Sequence, residues 1–375
     1  MLKVLHLLSS DRFSGAENVV CQIITAFDGD SEVEHLYVSP EGPIRETLKE
    51  KNIRYVPVKY LNGIDLKRIV RIEQPDIIHA HDMLASLFAT FCVRNIPIVS
   101  HIHNNNFGFK GVGPFVTSLA YCIAARRAKH IFWVSEAAYN GFRYKKICSS
   151  KSSVLYNVIN IEELNNSIKI DPEKYQYDLI FLGRLTYAKN PQRVLEVTKI
   201  LKNQKDDIKV AMVGAGELEN ELRNFVKDNQ LEKNVDFWGF RKNPYKILKN
   251  SQVMIMTSRW EGLGMCALEA MALGVPVVST PTGGLCEIIE DGKNGFLRKS
   301  NKELADKIID ILNNPSLKEQ MSTYASENSI KMNSREKYKN KILDVYKQVS
   351  DNDNFAGVTG LKSFFSGKTI GGELN

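Results

Sequence analysis

The sequence lacks the features of a membrane-spanning, secreted or metal-finger protein. No apolar stretch approaches the roughly 18–20 residues that a membrane span requires. The apolar start, residues 1–8, is shorter than the apolar region of a signal peptide and has no cleavage site of small residues. The six cysteines form no C-x-x-C pair, which argues against a zinc knuckle or a redox motif. These absences predict a cytoplasmic protein that meets a membrane, if at all, from one side.

The chain also carries only a small excess of charge of one sign. Fifty Lys and Arg residues against 43 Asp and Glu residues leave a net charge of +7. This excess suits anionic substrates or an acidic membrane surface, but it is too diffuse to predict a nucleic-acid partner. Hydrophobic residues make up 43% and charged residues 25% of the 375 residues, the balance of a globular enzyme with room for two domains.

Short apolar runs alternate with helical patterns twice along the chain. The first series begins with a strand at Val4–Leu8, and the second begins at Asp178, after a polar candidate linker at Asn165–Tyr177. Alternation at this pitch predicts parallel, doubly wound sheets. The fold class is therefore α/β, with two tandem Rossmann-like domains at 1–168 and 169–345 that face a cleft. Residues 346–375 are predicted to form a tail that packs back on the first domain or is disordered.

The segment from Thr257 to Glu287 contains the strongest pattern for ligand binding. An apolar strand leads into a loop with Glu261 and two glycines, and a helix with Glu269 follows. Glycines allow a ligand to approach the backbone closely, and a helix N-terminus favours an anion such as a diphosphate. Taken alone, the two glutamates are more typical of acids that stabilise a helix end, but the flanking glycine loop and the apolar strand that follows favour a binding site. The predicted binding backbone is that of Gly262, Leu263, Gly264 and Met265.

A second cluster follows the predicted strand Leu179–Leu182. Arg184 and Lys189 lie in the loop between this strand and a helix that begins at Asn190-Pro191. Ligands of open α/β sheets bind at such strand ends, and both cations suit phosphate oxygens. The turn at residues 213–217 has two glycines but lacks the third glycine of a dinucleotide site, so it predicts a tight turn near a nucleotide.

The first half offers candidate residues of its own. Gly15, in the loop after the first strand, either brings backbone N–H groups to a phosphate or acceptor or belongs to an ordinary loop. Two H-x-H pairs, His79/His81 and His101/His103, each end a strand, with both members of a pair on one face. A metal interpretation lacks a complete ligand set, since only Asp82 adds a carboxylate. His103 is the preferred residue for contact with a sugar hydroxyl or for proton transfer, and His101 is the alternative.

Together these segments resemble the retaining glycosyltransferases of family 4, which have the GT-B fold. The resemblance covers about residues 1–345, and it is strongest in GRLTYAKNP, EGLGMCALEAMALGVPVVST and GGLCEIIEDGKNGFL. In the first half, SGAE matches the family's glycine loop, and VSHIHNNN resembles a form common in exopolysaccharide and capsule transferases. Asn157 matches a family asparagine, whereas Val158 stands where glycine is usual.

The resemblance implies roles for the candidate residues. Arg184 and Lys189 would hold the diphosphate, Glu261 and the 262–266 backbone would contact the transferred sugar, and Glu269 would bind the ribose. His103 would contact the sugar near the scissile bond, so His103 and Glu261 are the expected catalytic residues. No metal or other cofactor is expected, because basic side chains and helix dipoles would stabilise the leaving diphosphate. The one Asp-x-Asp match, at 351–353, lies in the polar tail.

The implied activity is transfer of a sugar from a nucleotide-diphosphate sugar, preferably a UDP-sugar, to a glycan or lipid-linked acceptor in surface polysaccharide biosynthesis. Two alternatives stay open: a nucleotide-sugar epimerase of the same fold, and a non-catalytic nucleotide-sugar-binding protein. Basic and aromatic residues in Tyr121–Lys129 and Phe142–Lys151 offer peripheral contact with the inner face of the cell membrane, although a solvated helix face explains them as well.

Overall fold

The computed structural model describes residues 1–104 and 112–361, and it forms two α/β domains in tandem. Asn105 and Asn106 of the VSHIHNNN motif and the last 14 residues, 362–375, lie outside the described residues.

The first domain contains seven strands. Its elements in chain order are β1 (Leu2–Leu7), α1 (Gly15–Ala26), β2 (Val33–Pro40), α2 (Ile44–Glu50), β3 (Tyr55–Val58), α3 (Gly63–Glu73), β4 (Ile77–His81), α4 (Asp82–Cys92), β5 (Ile98–Ile102), α5 (Val112–Arg127), β6 (His130–Trp133), α6 (Glu136–Gly141) and β7 (Ser152–Val154). All the paired strands run parallel, in the order β3-β2-β1-β4-β5-β6-β7.

The second domain repeats this plan with six strands. Its elements are α7 (Ile161–Ile170), β8 (Tyr177–Leu182), α8 (Pro191–Lys202), β9 (Val210–Val213), α9 (Glu219–Asp228), β10 (Val235–Gly239), α10 (Tyr245–Lys249), β11 (Ser251–Met256), α11 (Met265–Ala272), β12 (Val277–Ser279), α12 (Leu285–Ile288), β13 (Gly295–Leu297), α13 (Asn301–Asn313) and α14 (Pro315–Met332). The parallel sheet has the order β10-β9-β8-β11-β12-β13. The predicted GT-B architecture of two Rossmann-like domains is confirmed.

Strand alternation explains how the first sheet buries both faces. Leu5 and Leu7 of β1 point to one face, which packs on α3 and α4, while Val4 points to the other face. Helices on both sides of a parallel sheet require apolar residues on both faces, which is why β1 shows an almost continuous apolar run.

The last helix, α15 (Arg335–Leu361), returns to the first domain. Tyr338, Ile342 and Tyr346 are buried in one cluster with Val4 and Phe132 of the first sheet. Residues 335–345, which the sequence assigned to the second domain, therefore lie on the first. The helix continues to residue 361, so the predicted tail at 346–375 begins as a helix packed on the first domain.

The predicted linker is also largely structured. Helix α7 includes residues 165–170 of the polar stretch, and Asn160 caps it by accepting a hydrogen bond from the backbone N–H of Glu163 at 3.1 Å. Leu164 is its buried residue, and Ile161 and Ile168 pack against the apolar cluster to which both domains contribute. A helix needs few apolar residues when one narrow stripe is buried, so the polar composition of this segment concealed it.

Candidate active site

The two sheets share a strand order that creates a ligand-binding position at one edge of each. With the strands of each domain numbered from its own first strand, both sheets begin with the order 3-2-1-4-5-6, and the first sheet adds a seventh strand. The order therefore reverses between β1 and β4 and between β8 and β11. Ligands of such sheets bind beyond the carboxyl ends of the strands at this reversal. The candidate residues lie in the loops that leave those ends.

Lys189 and Glu261 meet at the edge of the second sheet. The Nζ of Lys189, in the loop after β8, donates to Oε2 of Glu261, in the loop after β11, at 2.6 Å. Ser258 Oγ donates to the same carboxylate oxygen at 3.0 Å. The side chains of Lys189 and Glu261 are 20% and 11% exposed, so the pair is fixed but accessible to a ligand from the cleft.

The turn after Glu261 presents backbone donors beside this pair. Gly264 adopts φ = 101°, a conformation that favours glycine, and it directly precedes α11. Within the described residues, no acceptor faces the backbone N–H groups of Leu263, Gly264 and Met265. Three unpaired N–H groups at a helix N-terminus form a site for an anion.

Arg184 lies at the same edge, in the loop after β8. Its side chain is exposed, and no partner for its guanidinium lies in the described part of the chain. The backbone just before it packs against the 213–217 turn: a Cβ on Gly214 would lie 1.9 Å from the carbonyl oxygen of Gly183. Arg184 is therefore a free cation on a tightly packed loop, available to an anionic ligand.

Glu269 is buried behind the turn, on the second turn of α11. Burial raises the pKa of its carboxyl to about 8, although a hydrogen bond with Tyr245 partly offsets this. The thiol of Cys266 interacts electrostatically with Glu269, Lys189 and Glu261, so these groups form one cluster. A ribose hydroxyl that donates to Glu269 would favour the charged carboxylate.

His103 lies opposite this turn, on the first domain. It is partly exposed, whereas His101 is fully buried. Its backbone N–H donates to Asp82 Oδ1 at 2.8 Å, and its Nε2 lies 3.0 Å from Nδ1 of His81. Burial lowers the pKa of the His103 imidazole to about 4, while Glu17 acts in the opposite direction, so the ring is neutral at pH 7. A neutral ring can donate or accept one hydrogen bond to a sugar hydroxyl.

Contacts between the two domains hold His103 against the turn of Gly262. A Cβ on Gly262 would lie 2.0 Å from the carbonyl oxygen of His103, so only glycine fits there. Ser135, at the start of α6, donates through Oγ to the carbonyl oxygen of Gly262 at 2.7 Å. The structure thus brings His103 and the 262–265 turn to one place.

A carboxylate of the second domain caps a helix of the first. Glu287 accepts hydrogen bonds from the backbone N–H groups of Glu136 and Ala137 at 3.0 and 2.7 Å, and from the hydroxyl of Tyr156 at 2.9 Å. Sequence reasoning quoted Glu287 within a motif but gave it no role. An acid in the first turn of a short helix was the only available signal, and it does not reveal a contact across domains.

Gly15 begins α1, and a Cβ there would meet nothing within 4 Å. The structure therefore shows no close contact that requires glycine at this position. Two residues later, Glu17 is buried, accepts a hydrogen bond from Ser14 Oγ at 2.5 Å and acts electrostatically on His103. Sequence reasoning missed Glu17, although an acid in the first turn of a helix after a glycine loop is a recognisable pattern.

Two histidine triads in the described residues have the spacing to hold a metal ion. His6, His79 and His81 form one, and His81, His101 and His103 form the other, with ligand atoms within 4.8 Å of one another. Neither triad includes Asp351, the first residue of the Asp-x-Asp match, which lies in α15.

Fold and site together define a GT-B glycosyltransferase, a class that comparison with known proteins supports. The family model for "Glycosyltransferase Family 4" matches residues 13–163, and the model for "Glycosyl transferases group 1" matches residues 162–328. The chain therefore belongs to the glycosyltransferases, with a Family 4 domain followed by a group 1 domain.

Individual relatives agree with this assignment. The chain is 30% identical over 198 residues to a poly(ribitol-phosphate) alpha-N-acetylglucosaminyltransferase of Staphylococcus aureus; the match spans 51% of this chain and 40% of that protein. It is 26% identical over 337 residues to UDP-Gal:alpha-D-GlcNAc-diphosphoundecaprenol alpha-1,3-galactosyltransferase of Escherichia coli, with 80% of this chain and 84% of that protein covered. HepE of Anabaena, solved in complex with UDP-glucose, shares the fold with a TM-score of 0.80 at 20% identity, over 93% of this chain and 100% of that chain.

Proposed function

We propose that the protein is a retaining glycosyltransferase that moves a sugar from a UDP-sugar to a glycan or lipid-linked acceptor in surface polysaccharide biosynthesis. One observation carries the proposal: the Lys189–Glu261 pair lies beside the turn that holds the free N–H groups of residues 263–265, and His103 faces that turn. The name of the Staphylococcus relative gives poly(ribitol-phosphate) as the acceptor of that protein, and the name of the Escherichia relative gives a sugar linked to diphosphoundecaprenol as the acceptor and a UDP-sugar as the donor.

The diphosphate would lie between the cations and the 262–265 turn. As the bond from sugar to phosphate breaks, negative charge builds on the leaving diphosphate, and Lys189, Arg184 and the backbone N–H groups stabilise it. Lys189 and the backbone N–H groups already lie side by side at one edge of the second sheet, so little reorganisation opposes the reaction. Transfer therefore needs no metal ion on the phosphates.

Retention follows from attack on the face that the diphosphate leaves. The acceptor hydroxyl approaches the anomeric carbon on that face and gives its proton to an oxygen of the leaving phosphate. The acceptor oxygen forms the new bond while the bond between the anomeric carbon and the phosphate oxygen breaks. His103 holds the sugar from the first domain, and Glu261 orients Lys189 and the sugar from the second.

Release of UDP tests the function. Purified protein incubated with UDP-glucose, UDP-galactose or UDP-N-acetylglucosamine should release UDP slowly to water and faster with a lipid-linked saccharide acceptor. NMR of each donor incubated alone should show no change at C2, since an epimerase would convert the donor without an acceptor. Glu261→Ala should bind UDP-sugar but lose transfer, which separates a catalyst from a binding protein. Absence of binding and of turnover with UDP-, GDP- and ADP-sugars would overturn the proposal.

We infer that the acceptor is reached by peripheral docking on a membrane through α4 and α5. None of the described helices is long and apolar enough to cross a bilayer. The aromatic residues Tyr121 and Phe142, which the sequence suggested for membrane contact, are fully buried in the core. The exposed apolar side chains on these helices are Leu84, Phe91, Phe115, Val116, Leu119 and Ile123, each 44–64% exposed.

The face supports docking by its geometry and its charge. Phe115, Leu119 and Ile123 are spaced by four residues along α5, so they share one side of the helix. The exposed Arg126 follows in its last turn, which suits an anionic surface, while the guanidinium of Arg127 donates to the carbonyl oxygens of Arg94 and Ile96. Helix α4 packs against α5, and its Phe91 is exposed as well. Apolar side chains that enter the interface beside basic residues are typical of peripheral proteins.

We expect the double variant L119E/I123E to weaken binding to vesicles with anionic lipid by about tenfold or more, because burial of each apolar side chain is worth ~1.5 kcal/mol or more and the added charges repel the surface. Cosedimentation with vesicles measures this. The matched control is I64E/I72E on α3, where both side chains are also exposed, at 82% and 64%. Equal weakening in both variants, or no wild-type binding to anionic vesicles, would contradict the docking face.

A further inference from the structure

All seven histidines of the chain lie on one face of the first sheet or directly beyond its edge. His6 of β1 pairs in register with His79 of β4, and His81 of β4 pairs with His101 of β5. Side chains two residues apart in a strand share a face, so the H-x-H pairs extend one row of imidazoles towards the cleft. The full set is His6, His35, His79, His81, His101, His103 and His130.

Four of these rings form a chain of close nitrogen contacts. His35 Nδ1 lies 2.8 Å from His6 Nε2, His6 Nδ1 lies 3.0 Å from His81 Nε2, and His81 Nδ1 lies 3.0 Å from His103 Nε2. The chain runs from β2 to the end of β5, where His103 meets the cleft. In each of the two central rings, His6 and His81, one nitrogen can donate its proton to one neighbouring ring while the other nitrogen accepts from the ring on the other side.

His101 is not part of this chain of hydrogen bonds. The residue is fully buried, yet neither of its ring nitrogens has a partner among the described residues, whereas His35, His79 and His103 each lack a partner at one ring nitrogen only. A buried polar atom without a partner costs about 1–3 kcal/mol. Buried side chains of this kind usually have a partner, which can be an ion that coordinates the nitrogen.

We propose that His81, His101 and His103 bind one divalent d-block cation, Zn²⁺ in the first place, through one ring nitrogen each. Imidazole suits Zn²⁺ and its first-row neighbours, and burial favours the neutral ring, which is the form that binds metal. The ligand atoms of the triad already lie within 4.8 Å of one another. This is a site separate from the diphosphate, and metal binding there does not depend on transfer activity.

The triad of His81, His101 and His103, called the second triad here, is the better metal site for two reasons. In the triad of His6, His79 and His81, both nitrogens of His6 are used by other rings, and Nδ1 of His79 lies 2.7 Å from the hydroxyl of Tyr346. His101 has both nitrogens free. The second triad also ends at the partly exposed His103, which gives an ion a path from the cleft.

Surrounding groups are arranged to orient and balance such an ion. Coordination through Nδ1 of His81 leaves its Nε2–H to donate to His6, and His6 can then donate to His35, a relay that fixes the orientation of His81. Zn–N bonds of about 2.0–2.1 Å in a tetrahedron place the nitrogens ~3.3 Å apart, so the 3.0 Å between His81 and His103 must widen by a few tenths of an ångström. Asp82 and Glu17 supply nearby carboxylates.

Three protein ligands leave a fourth position for water or for an oxygen of a bound substrate. The structure places His103 beside the 262–265 turn, so this position would lie next to the proposed sugar site. The ion would tie β4 to the end of β5 and so hold His103 in place from the first domain.

Metal content of the full chain, purified without a histidine tag, tests the site. The protein is stripped with a chelator, titrated with Zn²⁺ against a chromophoric chelator, and its metal measured by mass spectrometry; we expect one Zn²⁺ per chain. Co²⁺ should give the intense visible bands of a four-coordinate ion. His101→Gln should weaken Zn²⁺ binding by at least about 100-fold, since loss of an outer partner alone costs about 10–100-fold.

The matched control is His130→Gln, on the same face of the sheet, whose Nε2 lies 2.9 Å from Ser153 Oγ and which belongs to neither triad. It should keep full stoichiometry and affinity. X-ray absorption of the wild-type Zn²⁺ form should show scattering from three imidazoles, which does not rely on a variant that folds. A wild-type chain that holds no Zn²⁺ or Co²⁺, or an H101Q chain that binds as the wild type does, overturns the site, and neither result bears on UDP release.

Discussion

Replacing Lys189 by alanine is expected to lower kcat/KM for the donor by about 10²–10³, the loss seen when one preorganised donor to a developing anion is removed (~2.7–4 kcal/mol). Lys189 is held beside the 262–265 turn by its 2.6 Å bond to Glu261, the residue that precedes the turn. Its charge is needed most when the diphosphate leaves, so kcat should fall more than KM rises. Initial rates at several UDP-sugar concentrations separate the two constants.

The control is Lys205→Ala, because Lys205 also forms a 2.8 Å ion pair, with Asp207, but lies on the surface. It should leave both constants unchanged. Activity of K189A close to that of the wild type would remove Lys189 from the diphosphate site. A thermal melt of each variant shows whether Glu261, left with Ser258 but without its cation at 11% exposure, costs stability as well.

A double-mutant cycle between Lys189 and Glu261 decides what Glu261 contributes. If Glu261 acts only by orienting Lys189, the double variant K189A/E261A should be no slower than K189A. If Glu261 also contacts the sugar, as we propose, the double variant should lose further activity. The two outcomes differ in kcat, not in folding, so the cycle distinguishes a positioning residue from a catalytic one.

Local sequence signals were sufficient to predict the fold and to place Lys189, Glu261 and the 262–265 turn at one edge of the second sheet. Apolar runs followed by glycine or by Asn190-Pro191 marked the strand ends, and parallel strands bring such ends to one edge. The contact between Lys189 and Glu261 follows from this rule, because β8 and β11 are neighbours in the sheet. The helix start after Gly264 was equally visible, since its two glycines precede an apolar helix.

Those local signals could not predict contacts between segments that are distant in the chain. No local pattern shows that Gly262 meets the carbonyl of His103, or that Glu287 caps α6. The return of α15 to the first sheet depends on a stripe of buried residues in a charged helix, and periodicity shows the stripe without its partner. The sequence likewise showed two H-x-H pairs but not that the register of β1, β4 and β5 aligns them with His6.

Substituting Gly262 by alanine should lower kcat/KM by about 10² or more, because a displacement of about 1 Å at a catalytic site costs this much. The new Cβ would lie 2.0 Å from the carbonyl oxygen of His103 and 2.9 Å from its carbonyl carbon. Both are backbone atoms, so no side chain can turn away to make room. The domains must separate or the turn must shift, and either change moves His103 away from the sugar.

The effect should be confined to the contact between the domains, which makes it separable from misfolding. The free N–H groups at residues 263–265 and the Lys189–Glu261 pair belong to the second domain alone, so G262A should retain most of its affinity for UDP, measured by calorimetry. The control is Gly113→Ala, where a Cβ would meet nothing within 4 Å, and it should transfer sugar as the wild type does. Full activity in G262A would mean that the turn functions without touching His103, and the catalytic role of His103 would then have to be given up. Retained UDP binding with lost transfer would instead show that the second domain grips the donor and that closure onto the first domain completes the site.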